Sequence, residues 1–255
     1  MQTLNIAAYL FVEILDPPVT ADAIRAKCLE LALKGTVLVA PEGINLFLAG
    51  ALEPIEQFLL WLRSDSHFAA LIEKRQFSDE QPFKRMKVKL KREIVPLGVN
   101  NLSVAQNPAP RMTAERLKQW LDAGKEFVLL DTRNRFEFER GTFAAAVDLN
   151  IGQFRNFPDA VEAKLSEWQD KPIVTFCTGG IRCEKAAPLM QRMGFTDVHQ
   201  LDGGILKYFE RCGAAHYQGD CFVFDERTAL DGQLAPAGSG DALGGPHFAD
   251  ILRPT

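Results

Sequence analysis

Cys177 stands where an apolar run, PIVTF (172–176), gives way to the loop CTGGIR (177–182) and then to CEKAAPLM (183–190), whose spacing predicts a helix opening at about Cys183. A thiol is mostly protonated at neutral pH, and the thiolate is the nucleophile. The neighbours of Cys177 favour the thiolate. A short glycine-containing loop can turn its backbone N–H groups inward as an anion nest, and a helix N-terminus adds partial positive charge. Gly179 and Gly180 permit backbone angles that a side chain would forbid. Thr178 offers a hydroxyl, and Arg182, with Ile181 before it, adds a full positive charge. The pattern predicts a depressed pKa at Cys177 and a small anion or persulfide held in the loop. A buried cysteine at a strand end is a common core residue, but strand end, cysteine, two glycines, arginine and helix onset coincide here.

Three more residues belong with this loop. Cys183 is a second thiol that could close a disulfide onto an oxidised Cys177; its plainer reading is a core residue of the first helical turn. Asp131 and Arg133 leave the end of another apolar run, FVLLD (127–131). Ligands of open α/β sheets bind outside the carboxyl ends of the strands, so both can face the site. A helix cap or solvated acid is the alternative for Asp131.

A different chemistry is written in Arg85-Met86-Lys87-Val88-Lys89-Leu90-Lys91, which alternates basic and apolar residues and is preceded by Lys84. At period two, a strand would bury Met86, Val88 and Leu90 and present the cations on one face. Such a stripe can follow a nucleic-acid backbone, or it can be a solvated face whose lysines discourage edge pairing. Lys84, Arg85, Lys87, Lys89 and Lys91 are therefore candidate RNA contacts.

The elements that position these residues fall into two sets. Residues 4–14 read as a strand, and Thr20 as the cap of a helix over 20–34. TVLVAP and INLFLAG form a hairpin around Glu42-Gly43, 52–63 is a second helix, and a final strand region covers 72–95. The order β-α-β-β-α-β predicts a ferredoxin-like α+β sandwich over 1–98. Pro, Asn and Gly then mark a linker over 99–112. From Thr113 to residue 212, strands alternate with helices (113–123, 158–168, 183–193 and one from 205), predicting a parallel α/β sheet covered on both faces. Residues 213–255 read as an extension in which CFVFDER (221–227) can add a strand and 233–245 is flexible.

Composition sets the bounds. The 255 residues are 47% hydrophobic with a net charge of −4, so any nucleic-acid site must be local. No apolar run is long enough to span a membrane, and Met1–Leu15 has neither a basic region nor a cleavage site typical of a signal peptide; a cytoplasmic protein is expected. Five cysteines without a CxxC pair and four scattered histidines suggest neither a disulfide framework nor a structural metal.

The loop resembles that of the rhodanese superfamily. LLDTRNRFEFERGTFAAAVDLN and LDGGILKYF (201–209) are similar to that family's strand-Asp-x-Arg and closing segments. The loop is Cys-x4-Arg; cysteine phosphatases use Cys-x5-Arg, so sulfur-type chemistry is favoured over phosphate hydrolysis. With GTVLVAPEGINLFLAG (35–50), PFKRMKVKLKREIVPLG (82–98), FCTGGIRCEKAAPLM (176–190) and HYQGDCFVFDER (216–227) in that order, the chain resembles the tRNA uridine hydroxylase family over about residues 4–230. Many members of that family continue into a cysteine-containing extension, where this chain has a Gly/Ala/Pro-rich stretch. The resemblance implies an acylphosphatase-like N-terminal domain, tRNA as partner, molecular oxygen as co-substrate, and hydroxylation of the wobble uridine at carbon 5 with Cys177 as the active cysteine. Nothing in spacing or composition predicts hydroxylation itself, and no cofactor site is evident. Two other readings stand beside it: a sulfurtransferase carrying a Cys177 persulfide, and a non-enzymatic module that senses redox state or recruits a partner.

Overall fold

Apolar side chains at every second position of the first strands set the architecture of the N-terminal unit, Met1–Pro96 in a computed structural model that describes residues 2–100, 102, 104, 108–223, 229–235 and 237. Strands β1 (Thr3–Phe11), β2 (Lys34–Ala40) and β3 (Gly43–Gly50) turn Leu4, Ile6, Val37, Val39, Ile44, Leu46 and Leu48 to one face. Helices α1 (Pro17–Glu30) and α2 (Leu52–Ser64) cover that face with Ile24, Cys28, Ile55, Phe58 and Leu59. With β4 (Glu73–Ser78) and β5 (Met86–Leu90), the sheet order is β4-β1-β3-β2-β5. The first four strands have the ferredoxin-like order that the sequence predicts.

Three local expectations are corrected. The 72–95 region is two strands at opposite edges of the sheet: β4 pairs antiparallel with β1, and β5 pairs parallel with β2. Helix α1 is capped by Asp16, whose Oδ1 accepts from the Val19 N–H at 3.0 Å, not by Thr20. Pro17 and Pro18 fill the first positions, where a missing N–H costs nothing. In the hairpin, Ala40 pairs with Gly43, so the turn residues are Pro41 and Glu42.

The second unit, Leu97–Thr255, is built on a five-stranded, wholly parallel sheet. Its strands are β6 (Arg111–Met112), β7 (Val128–Asp131), β9 (Ala146–Asp148), β10 (Pro172–Phe176) and β11 (Asp197–Leu201), in the order β6-β11-β10-β7-β9. The expected linker thus ends in a strand, with the Met112 carbonyl accepting from Asp202 N at 2.9 Å. Around the sheet lie α3 (Ala114–Asp122), α4 (Arg135–Arg140), α5 (Phe157–Glu162), α6 (Leu165–Trp168), α7 (Cys183–Met193) and α8 (Gly204–Cys212). The single helix expected over 158–168 is therefore two, α5 and α6.

Short strands finish this unit. β8 (Gly141–Phe143) pairs with β12 (Tyr217–Gly219), and β13 (Cys221–Phe222) pairs with β14 (Ala229–Leu230). Phe143 anchors the aromatic core edge-to-face, with centroids 5.0 Å from Phe176, 4.8 Å from Tyr208 and 5.3 Å from Tyr217. Such pairs add about 0.5–1.5 kcal/mol each beyond their buried area. Because Phe176 is one of them, the residue before Cys177 is anchored in this aromatic core. Residues 224–227 of the expected extra strand, and most of 233–245, lie outside the described residues.

Candidate active site

Cys177 follows the central strand β10, at the carboxyl edge of the parallel sheet, and is 1% exposed. The Gly180 N–H donates to its Sγ at 3.1 Å. Burial by itself would raise the Cys177 pKa. The adjacent Cys183 thiol, the Arg182 guanidinium, and the backbone N–H groups of Arg182 and Gly180 outweigh that and bring it down from 9.0 to about 6. Every other cysteine moves upward through burial: Cys28 and Cys221 to about 12, Cys212 in the same direction, and Cys183 well above its ordinary value, with the Cys177 thiolate adding to the rise. A single thiolate at neutral pH is the electrostatic outcome.

The loop geometry explains one glycine and not the other. Gly180 has φ +102°, the left-handed region, and this turns its N–H onto the sulfur. Gly179 is not in that region, and a Cβ there would meet nothing within 4 Å. Its expected conformational role is therefore absent.

Helix α8 holds the loop from behind. Ile205 N donates to the Cys177 carbonyl at 2.9 Å and Leu206 N to the Thr178 carbonyl at 3.1 Å. Gly204, at φ +65°, lets the two backbones touch: a Cβ there would sit 2.3 Å from the Cys177 carbonyl oxygen. The LDGG segment thus fixes the carbonyls outward, leaving the N–H groups to face the sulfur. On another side, Thr178 Oγ1 donates to the Phe222 carbonyl at 3.4 Å, and Phe222 packs on Phe136 with centroids 5.1 Å apart.

Arg182 is 8% exposed, and its guanidinium meets Glu137, with Nη2 2.9 Å from Oε2. Glu137, fully buried, also accepts from the Asn134 N–H at 3.2 Å. The sequence reading missed Glu137, although Asn-x-x-Glu opening a helix is a legible capping pattern. The arginine charge is thus shared between carboxylate and thiolate rather than aimed at the sulfur alone.

Asp131 and Arg133 form a second buried pair, with Arg133 Nε 2.9 Å and Nη2 2.6 Å from the carboxylate. Asp131 also accepts from Thr142 Oγ1 at 3.0 Å, and Arg133 donates to the Gly141 carbonyl at 2.7 Å. These bonds tie β7 to β8 and do not reach residues 177–182. The residue between them does the supporting: Thr132 donates to the Phe176 carbonyl from both N and Oγ1, each at 3.0 Å, and its hydroxyl lies 3.7 Å from Cys183 Sγ. Cys183 is fully buried at the start of α7.

The basic stripe lies on edge strand β5 of the other unit. Lys84 and Arg85 precede the strand and are exposed; Lys87, Lys89 and Lys91 are half-buried. Burial, then repulsion from Lys91, Lys87 and Arg85, lowers the Lys89 pKa, as expected of cations sharing one face; Lys84 falls outside the alternation. The apolar side is only partly buried: Met86 and Val88 pack on the core, but Leu90 is 51% exposed. An edge strand has no neighbour beyond it to cover that last residue. Arg25 Nη2 donates to the Val88 carbonyl at 3.1 Å, closing part of the edge.

Among the described residues, no group of three or more His, Cys, Asp or Glu could hold a metal ion, and no helix is long and apolar enough to cross a membrane.

Comparison with known proteins agrees with this two-part construction. Residues 3–94 match the family described as UPF0176 acylphosphatase like domain, and residues 113–211 match the Rhodanese-like domain. A tRNA uridine(34) hydroxylase of Cupriavidus pinatubonensis is 50% identical over 243 residues, covering 93% of this chain and 86% of that one. The protein of the same name from Ralstonia nicotianae is 51% identical with the same coverage, and that from Variovorax paradoxus is 51% identical over 92% of this chain and 91% of its own. With half of its residues shared across both units, this chain belongs to the tRNA uridine(34) hydroxylase family.

Proposed function

We propose that this chain hydroxylates uridine 34 of tRNA at carbon 5, with dioxygen as co-substrate and the Cys177 thiolate as the reacting group. The observation that carries the reading is 50% identity to a tRNA uridine(34) hydroxylase over 93% of the chain. The site supplies what the chemistry asks for: a sulfur ionised at neutral pH, held by the Gly180 N–H at 3.1 Å. Addition of this thiolate to carbon 6 of the uracil pushes an electron pair toward carbon 5 and makes that carbon reactive toward an electrophile. The N–H groups of 178–182 stabilise the anionic states of the sulfur. Arg85, Lys87, Lys89 and Lys91, with Lys84 beside them, contact the tRNA backbone.

Nucleoside mass spectrometry of tRNA tests this reading in cells lacking the protein, complemented with wild type or with Cys177→Ala. Loss of 5-hydroxyuridine and its derivatives, restored by wild type alone, is the expected result. An unchanged profile in cells with no second route to the modification, together with thiosulfate:cyanide activity of the protein, would put a Cys177 persulfide carrier in its place.

A further inference from the structure

Hydroxylation by dioxygen leaves a debt of two electrons. Dioxygen takes up four electrons on reduction to the level of hydroxyl and water. Breaking the C5–H bond supplies two of them, and a reductant must supply the rest. Cys177 has a second thiol against it. The chain leaves β10 at Phe176, turns through 177–182 and returns as α7, whose first residue, Cys183, makes a side-chain hydrogen bond with Cys177. Cys183 N donates to the Gly180 carbonyl at 3.0 Å, while Gly180 N donates to Cys177 Sγ at 3.1 Å, so one glycine orients both residues. Both cysteines are buried, at 1% and 0% exposure, and each influences the ionisation of the other. Cys183 keeps its proton while Cys177 loses its own. That division makes Cys177 the reacting sulfur, and the part of the rise at Cys183 that the Cys177 thiolate causes is lifted once Cys177 is oxidised, which favours attack by Cys183 at that point. Beyond Cys177 itself, the Cys183 thiol meets the Thr132 hydroxyl at 3.7 Å and Thr175 beside it.

We propose that Cys177 and Cys183 form a dithiol couple that supplies the two missing electrons and ends each turnover as a disulfide. The inference rests on the hydroxylase reading and names its reductant. In the first stage, uridine, dioxygen and the Cys177 thiol give 5-hydroxyuridine and a Cys177 sulfenic acid. The C6–S bond formed when Cys177 adds to the ring breaks again, together with the C5–H and O–O bonds; C5–O and S–O bonds form, the C5 hydrogen and the thiol proton end on the two new hydroxyls, and each product carries one oxygen. In the second stage, the Cys183 sulfur attacks the Cys177 sulfur. The S–O bond breaks, the S–S bond forms, and the hydroxide departs with the Cys183 proton as water. Together, two thiols are oxidised by two electrons and one molecule of water is released. An external thiol then resets the pair.

The test uses the full chain, reduced, freed of reductant and mixed with tRNA carrying unmodified uridine 34 in air. After an acid quench, free thiols are alkylated and both RNA and protein are analysed by mass spectrometry. The expected result is one Cys177–Cys183 disulfide for each 5-hydroxyuridine, with the reaction stopping at one product per chain until a thiol reductant is added. In Cys183→Ser, the first product still forms, and Cys177 is trapped as a sulfenic acid by a cyclic 1,3-diketone. If wild type makes 5-hydroxyuridine repeatedly while both cysteines alkylate fully, the dithiol couple is overturned and the hydroxylase stands. If wild type makes none, with or without reductant, both readings fall together. The wild-type measurement decides the matter even if Cys183→Ser does not fold.

Discussion

Arg182 and Glu137 meet as a buried ion pair, Nη2 to Oε2 at 2.9 Å, directly behind the loop that carries Cys177. Removing the carboxylate from a buried guanidinium costs about 3–5 kcal/mol, more than the pair adds when intact. Glu137→Gln keeps the shape and loses the charge. It is expected to lower the unfolding free energy by an amount in that range, read as a lower urea midpoint with little change in slope. A shift below about 0.5 kcal/mol, the level of an ordinary surface substitution, would show that water reaches the pair.

Cys177 should be alkylated with a pH midpoint near 6, and alone among the five cysteines at neutral pH, since the others are pushed upward. Because the folded pKa lies below the unfolded value, the ionised thiol contributes stability that is fully present above roughly pH 8.5, the unperturbed cysteine value. That contribution declines as pH falls and is gone below about 6. Rate constants for iodoacetamide modification, followed peptide by peptide from pH 5 to 9, are the measurement; a midpoint near 9 at Cys177 would contradict the electrostatic account.

Two glycines should respond in opposite ways to alanine. Gly204→Ala drives a methyl to within 2.3 Å of the Cys177 carbonyl oxygen at a positive φ, so loop and helix must separate. Strain of roughly 1–3 kcal/mol and loss of the low Cys177 pKa are expected together. Gly179→Ala meets nothing within 4 Å and should keep the melting temperature; a fall in activity there would mean that the tRNA, not the fold, needs the space. Thermal unfolding and alkylation of both variants separate the cases.

Neutralising the β5 stripe should act on RNA affinity and leave the thiol untouched. Arg85→Ala, Lys87→Ala and Lys89→Ala combined are expected to weaken tRNA binding and to reduce the slope of log K against log salt by about 0.7–0.9 for each phosphate no longer neutralised. Cys177 alkylation should be unchanged. An unaltered salt slope would make the stripe a solvated face.

How much of this was legible beforehand follows the range of each interaction. The Cys177 loop, the onset of α7 and the ferredoxin-like order of β1 to β4 depend on residues close in sequence or on simple alternation, and all could be read from the chain. The Arg182–Glu137 pair joins residues 45 positions apart, and Gly204 touches a loop more than 20 residues before it. A capping pattern marks Glu137 and the closing segment contains Gly204, but no spacing says what either of them touches. Residue types misled where position in the sheet decides. Leu90 has the alternation of a buried residue but sits on an edge strand, and Gly179 sits beside a glycine that needs its freedom without needing it itself. Asp131 and Arg133 were placed near the site by the end of their strand, but their side chains turn to Gly141 and Thr142 instead.

The position of β5 at the end of the sheet order has one more effect. A terminal strand offers its outward N–H and C=O groups as a template for another strand, the usual route to unwanted self-association. Here that template bears Lys87 and Lys89, with Arg85 and Lys91 at its ends. A second copy approaching edge to edge would bring a matching row of cations against them. The same charges that suit a polyanion therefore keep the protein from stacking on its own kind, and screening them with salt in the absence of tRNA should expose a tendency to aggregate.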